Sequence, residues 1–343
     1  MTAPSLDLVA PGLLGPVPET VSRAIGEVGE LRALRRFLAR GSRCRCSPGT
    51  PDDLAGNLLG AADPGVAGPL AAGPVADDGD HYWSVAAGCH LIADRDRLMV
   101  RAGPEQRLNV DEAEAIAASF NNAFAADGWR LHAHAGALVL RSGQALPPGL
   151  VPLSELSGHY LDDFLPGGPD ARQWRALLNE LQMLLFEHPV NERRQAASQA
   201  PVNGLWFWGC GSAIARLPRV ADVIASDAPV LRGIAHLGKA APMEPVERLS
   251  QLDPSAGDTL AHWREAEDAL ATGDATAWLT ALARFDQAWA QELLAGLSNG
   301  SWATVRLHVA PGEYREITRG RLRRFWRPIR PVARHLLVAR EGS

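Results

Sequence analysis

The sequence predicts an α/β protein: a mainly parallel sheet flanked by helices, with an inserted smaller α+β subdomain. Three observations carry that expectation. "RVADVIASDAPVLRGIAHLG", Arg219 to Gly238, runs strand, loop, helix, the order that builds a parallel sheet. From Tyr82 to Gly143 the pattern is strand, strand, helix, strand, a unit compact enough to stand as an insertion. "LWFWG", Leu205 to Gly209, is apolar on both alternating faces, as expected of a central strand covered by helices on both sides. The expected division is a main sheet domain from residues 1–80 and 188–343 and an inserted subdomain from 81–187.

Each element follows from local pattern. Leu6 to Ala10 reads as a short buried strand, and "PGLLGP" after it as a turn. Val21 to Gly41 has Leu31, Leu34 and Leu38 at helical spacing, with Gly41 as the stop. Residues 47–80, rich in Gly, Ala, Pro and Asp, read as a long loop or linker. Two strands follow from Tyr82, joined at Asp94-Arg95-Asp96. Asn109 with Glu112 three residues on makes a capping box for a helix whose buried face is Ile116, Phe120 and Phe124. "WRLHAHAGALVLRSG" returns to strand, and Asp170 to Glu187 forms a helix with Trp174, Leu177, Leu178, Leu181 and Leu185 inward.

"HPVN" reads as a turn leading to the Trp-Phe-Trp strand, with Trp206 and Trp208 sharing one face and a Gly209-Cys210-Gly211 loop opening at the sheet's carboxyl edge. Val220 to Ala225 is the next strand, followed by a helix that Asp227 caps and Pro229 starts. Gly273 to Gly300 reads as one helix with Asp274 as N-cap, a stripe of Trp278, Leu282, Phe285, Trp289 and Leu293, and a stop at Asn299-Gly300. A strand, a turn at Pro311-Gly312, a second strand and a basic tail complete the chain.

Composition excludes several function classes. With 46% hydrophobic and 21% charged residues in 343, the chain has ordinary globular usage, and a net charge of -5 gives no global attraction to nucleic acid or acidic membranes. Cys44, Cys46, Cys89 and Cys210 fall at no paired spacing, as free thiols of a reducing compartment do. The start lacks a basic segment before an apolar one, and no run of about 18 apolar residues occurs, so a cytoplasmic protein without a membrane partner is expected.

No Walker loop, G-x-G-x-x-G, G-x-S-x-G or H-E-x-x-H is present. His132 and His134 share one side of a strand but need a third ligand, and none is evident. Cys44-Arg45-Cys46 with Cys89-His90 is better read as ordinary thiols than as a zinc site. No metal and no cofactor are therefore expected. The tail, Arg319 to Arg330, interleaves arginines with Phe325 and Trp326. That pattern suits either a single-stranded nucleic-acid groove or a solvated sheet edge. The acidic chain favours the edge, so nucleic acid is not an expected partner. Asn191 and Asn203 beside the Trp-rich strand either bridge backbone groups at a ligand cleft or simply close turns.

"HPVNERRQAASQAPVNGLWFWGCG", "ASDAPVLRGIAHLGK" and the terminal "RFWRP" together resemble the bacterial RpfE-like regulatory proteins. That family in turn resembles archaeal-type, cofactor-independent phosphoglycerate mutases of the alkaline-phosphatase superfamily. "CHLIADRDRLMVRAGPEQRLNVDEAEAIAASFN" is similar to the segment those mutases insert into their sheet domain. The resemblance implies an alkaline-phosphatase-like sheet and a cleft holding two divalent metals. The first strand, however, ends "LVAPGLLGP" without a carboxylate, "LATGDATAWLTALARFDQ" offers Asp274 without a histidine beside it, and "RLHVAPGEY" carries His308 but lacks the acid and histidine pairing expected near the end.

The expectation is a catalytically silent, phosphoglycerate-mutase-like protein with a binding or regulatory role toward a small phosphorylated ligand or a protein partner. The alternative is a phosphate-ester enzyme, mutase or phosphatase in type, that works without the usual metal pair. Its groups would be Asn191, Arg194, Asn203, Asp227 and Arg232 for the ligand, with His188 as the acid or base. A turn at His-Pro-Val-Asn and a surface pairing of Arg232 are the plainer alternatives.

Overall fold

A computed structural model describes residues 3–25, 31–45, 65–76, 79–147, 149–167, 170–310, 313–324 and 326–337. Cys46, Pro311, Gly312, Phe325 and much of the expected linker lie outside the described residues. Twelve strands form among those described: β1 Ser5–Val9, β2 Ser42–Arg45, β3 Tyr82–Asp94, β4 Arg97–Arg101, β5 Trp129–His134, β6 Ala137–Ser142, β7 Gly204–Ser212, β8 Val223–Ala225, β9 Ala241–Met243, β10 Thr259–His262, β11 Thr304–Ala310 and β12 Glu313–Thr318. The chain divides into two compact units. The first holds Met1–Ala62, Pro218–Asp227 and Gly238–Ser343, and the second holds Asp63–Leu217 and Ala228–Leu237.

The first unit is built on a seven-stranded sheet in the order β2-β12-β11-β1-β10-β8-β9. From β11 to β9 every pair is parallel, while β12 and β2 add antiparallel at one edge. The mainly parallel sheet flanked by helices is thus present. Leu6 and Leu8 of β1, Val305 and Leu307 of β11 and Ile317 of β12 pack with Leu34, Phe37, Trp278, Phe285, Trp289 and Leu293. Strand alternation sends Asp7 to the opposite face, where it bonds His308 Nε2 at 2.8 Å and Arg306 Nη1 at 3.1 Å.

The helix expected over Val21 to Gly41 is two helices, Glu19–Ala24 and Arg32–Arg40, with Leu31 in the left-handed region at φ 37°. The second lacks a cap from its own N-cap residue, and Asp286 supplies one, accepting from the Leu34 backbone N–H at 2.6 Å. Asp286 reaches there from a wide π turn, Asp286–Ala290, set between helices Ala275–Phe285 and Gln291–Asn299. The expected ends hold: Asp274 accepts from Ala277 N at 2.9 Å, and Gly300 closes the run at φ 87°.

In the second unit β3 is the long central strand. It pairs antiparallel with β6, with β7 and, past Cys89, with β4, while β5 pairs β6. Helices Val110–Phe124 and Asp170–Phe186 lay Ile116, Phe120, Trp174 and Leu181 against Trp206 and Phe207. The Asn109–Glu112 capping box forms in both directions, at 2.9 Å each way.

Six expectations are corrected here. β7 is not a central strand of the parallel sheet: its one pairing among the described residues is with β3, antiparallel. Trp206 is buried and donates to the Val151 carbonyl at 2.8 Å, but Trp208 is half-buried. Gly209-Cys210-Gly211 is part of β7 rather than a loop, with Gly211 opposite Trp83. The return to the main sheet accordingly falls near residue 217 rather than 188. "HPVN" opens a helix, Pro189–Ala196, because Pro at the first helical position is as favourable there as in a turn. Within the expected linker, Ala67–Ala72 is a helix whose six residues are all buried.

Candidate functional site

The carboxyl ends of the parallel strands are where an open α/β sheet presents a ligand crevice. Three backbone hydrogen bonds carry the ladder past the strand ends: Ala10 N to His308 O at 2.8 Å, Trp263 N to Val9 O at 2.9 Å and Ser226 N to Met243 O at 3.0 Å. They fix the residues just beyond β1, β8 and β10. Because Ala225 pairs with Ala261, Ser226 comes beside His262, and its hydroxyl lies 3.2 Å from His262 Nδ1. One residue further on, Asp227 receives both terminal nitrogens of Arg264, at 2.5 and 2.6 Å. Arg264 Nε also lies 3.8 Å from Asp268.

A hydroxyl beside an imidazole is the pairing a nucleophile and its base require. The bidentate ion pair is a fixed element of another kind: it ties the β8 loop to the β10 loop and uses both Asp227 oxygens. Asp227 was expected to cap the next helix; its carboxylate serves Arg264 instead.

The two-metal site implied by the resemblance does not fit this donor set. Among the described residues no three His, Cys, Asp or Glu side chains gather closely enough to hold a metal ion. Past β1 come Ala10, Pro11 and Gly12, while the strand's own acid, Asp7, is held within the sheet by Arg306 and His308. Asp274 is a helix cap. No chemical step is therefore derived through metal.

The other expected site residues lie in the second unit, where four of them hold loops together. His188 is buried: Nδ1 accepts from Val190 N at 3.2 Å, which leaves Nε2 to donate to Ser119 Oγ at 2.9 Å. Burial, with Arg193 nearby, holds its imidazole below the usual range. Asn191 donates to the Leu185 and Val202 carbonyls at 2.7 and 2.9 Å and accepts from Val202 N at 2.8 Å. Asn203 exchanges two bonds with the Leu91 backbone, at 2.7 and 2.9 Å, in the manner of a strand partner.

Arg194 pairs with Glu112 at 2.8 Å, with both side chains buried, and also donates to the carbonyls of Ala200, Arg107 and Glu105. Arg232 stands on the helix Pro229–Gly238, close enough to His134 to help burial lower that imidazole's pKa. Ser226, His262 and Arg264 were not singled out from sequence. The available signal was "DTLAHWRE", a short apolar strand that would have put His262 at its end.

No protein-family model matches the chain. Over 215 residues, 58% of this chain, it is 26% identical to the 2,3-bisphosphoglycerate-independent phosphoglycerate mutase of Methanosarcina acetivorans, a match taking in 52% of that protein. The corresponding mutase of Methanosarcina mazei is 24% identical over 158 residues, 44% of this chain and 40% of that one. These matches span about half or less of the length of the curated relatives. A solved protein from Pyrococcus horikoshii shares the fold, with a TM-score of 0.51 and 12% identity over 93% of this chain and 88% of that one. The chain is a distant homologue of cofactor-independent phosphoglycerate mutases.

Proposed function

We propose that this chain is a phosphoglycerate-mutase-like regulatory protein of the RpfE-like kind, acting in the cytoplasm by binding rather than by metal-dependent turnover. Its partner is a small phosphorylated ligand or a protein, met at the carboxyl edge of the parallel sheet. The observation that carries this reading is the Asp227–Arg264 pair: the acid following β8 gives both oxygens to a guanidinium. A two-metal phosphoryl site needs carboxylates and imidazoles open toward the ions. The test is an assay of the purified chain for interconversion of 2- and 3-phosphoglycerate and for phosphatase turnover, with manganese, zinc or magnesium added. No turnover is expected with any of them. Activity that rises with metal content and survives repurification contradicts the reading.

One observation favours a second reading, a metal-independent phosphate-ester enzyme: the Ser226 hydroxyl beside His262. In that case turnover appears without metal and disappears in Ser226→Ala. Loss in Ser226→Ala with the fold intact would put the serine at the reacting phosphorus.

A further inference from the structure

In the first unit a groove of about 690 Å³ opens between the helices Arg32–Arg40, Gln291–Asn299 and Arg319–Leu322. It lies toward the amino edge of the parallel strands, because Thr318, which ends β12 just before Arg319, pairs with Thr304 at the start of β11. It is thus at the opposite end of the sheet from Ser226 and His262. Four arginines line it, Arg32 and Arg36 on one wall and Arg319 and Arg323 on the other, with Gln291 and Ser298 between. No acid is among the described lining residues.

The spacing is the informative part. Each arginine pair is four residues apart, a spacing that on a helix turn sets the side-chain bases about 6 Å apart. Like charges at that spacing repel. Arg36, Arg319 and Arg323 are exposed and make no hydrogen bond or ion pair among the described residues. Elsewhere in this unit arginines are committed: Arg264 to Asp227, Arg306 to Asp7 and Arg321 to Glu316. None of the carboxylates among the described residues lines this groove.

We propose that this groove binds a small ligand carrying two or more phosphate groups, gripped by arginine forks from both walls. Guanidinium groups match phosphate oxygens two by two, and Ser298 and Gln291 add neutral donors. The volume lies within the range of small-molecule sites, about 300 to 1,000 Å³. Ala33, Leu294, Ala295 and Leu322 give the remaining lining an apolar character suited to the ligand's carbon skeleton. A single-stranded nucleic acid would call for aromatic stacking, and among the described lining residues none is aromatic. The helix N-terminus is not the anion site, since Asp286 already takes the Leu34 N–H.

The experiment is calorimetric titration of the full chain with inorganic tripolyphosphate, orthophosphate and a short oligothymidylate. Tripolyphosphate is expected to saturate at one per chain and to bind at least ~10-fold tighter than orthophosphate, with affinity falling as salt rises. Arg36→Ala/Arg323→Ala, which removes two exposed and unpaired side chains, is expected to keep the wild-type melting temperature and lose ~10-fold or more in affinity. Arg172→Ala/Arg175→Ala, which removes the same net charge from exposed positions of another helix, is expected to bind as wild type. Absence of saturable tripolyphosphate binding overturns the proposal. So does equal loss in the two double variants, or tighter binding of the oligothymidylate. None of these outcomes depends on whether the carboxyl edge turns over a substrate.

Discussion

Asp286 shows how a single side chain can do work that its neighbours in sequence do not announce. It sits in the π turn, is buried, and caps the helix Arg32–Arg40 across 252 positions of chain. Burial pushes its carboxyl above the usual carboxylate range, against the opposing pull of the Leu34 and Ala33 backbone N–H groups. A carboxyl raised in the folded state gives stability that is complete below its unfolded value and is lost as pH rises through the folded value. Asp286→Asn keeps an acceptor for the Leu34 N–H but does not titrate. Urea unfolding is therefore expected to show wild type losing ground to Asp286→Asn as pH climbs from the ordinary carboxylate range toward neutrality. A stability difference that is flat with pH contradicts this assignment. At this scale the sequence is legible where partners are local. The Asn109–Glu112 box and the Asp274 cap were readable from three-residue spacings. The Arg194–Glu112 and Arg264–Asp227 pairs span 82 and 37 positions, and no spacing rule reaches that far.

Elements were legible by periodicity and misplaced where periodicity says nothing of neighbours. The apolar alternation of Leu205 to Gly209 identifies a strand correctly but does not tell a parallel partner from β3, which runs antiparallel. Helices covering Trp206 and Phe207 in the second unit supply the burial that a central parallel strand would also have had. The helix Pro189–Ala196 was hidden by its own starting Pro. Close packing between elements gives a prediction of unusual sign. Gly233 lies inside the helix Pro229–Gly238, where Gly→Ala ordinarily stabilises by up to ~1 kcal/mol. Here a Cβ would stand 1.6 Å from the Leu70 carbonyl oxygen, a backbone atom of a neighbouring segment. Gly233→Ala is therefore expected to destabilise by about 1 to 3 kcal/mol, the cost of overpacking, as read by chemical denaturation. A stabilised variant would show that this segment yields freely.

At the scale of the whole molecule, the chain has a mainly parallel sheet and an additional α+β unit, the architecture its sequence pattern leads one to expect. Its sheet edge is furnished differently from a two-metal centre. The acid of β1 is turned into the sheet, the acid after β8 is given to an arginine, and His308 is buried against Asp7. The lack of a carboxylate after the first strand was visible in the sequence, whereas the use made of Asp227 and His262 required the register of β8 and β10. Metal content tests the account most directly. The protein is equilibrated with excess manganese or zinc, dialysed against metal-free buffer and analysed by elemental mass spectrometry. The account predicts well below one ion per chain, whereas two tightly held ions per chain would contradict it.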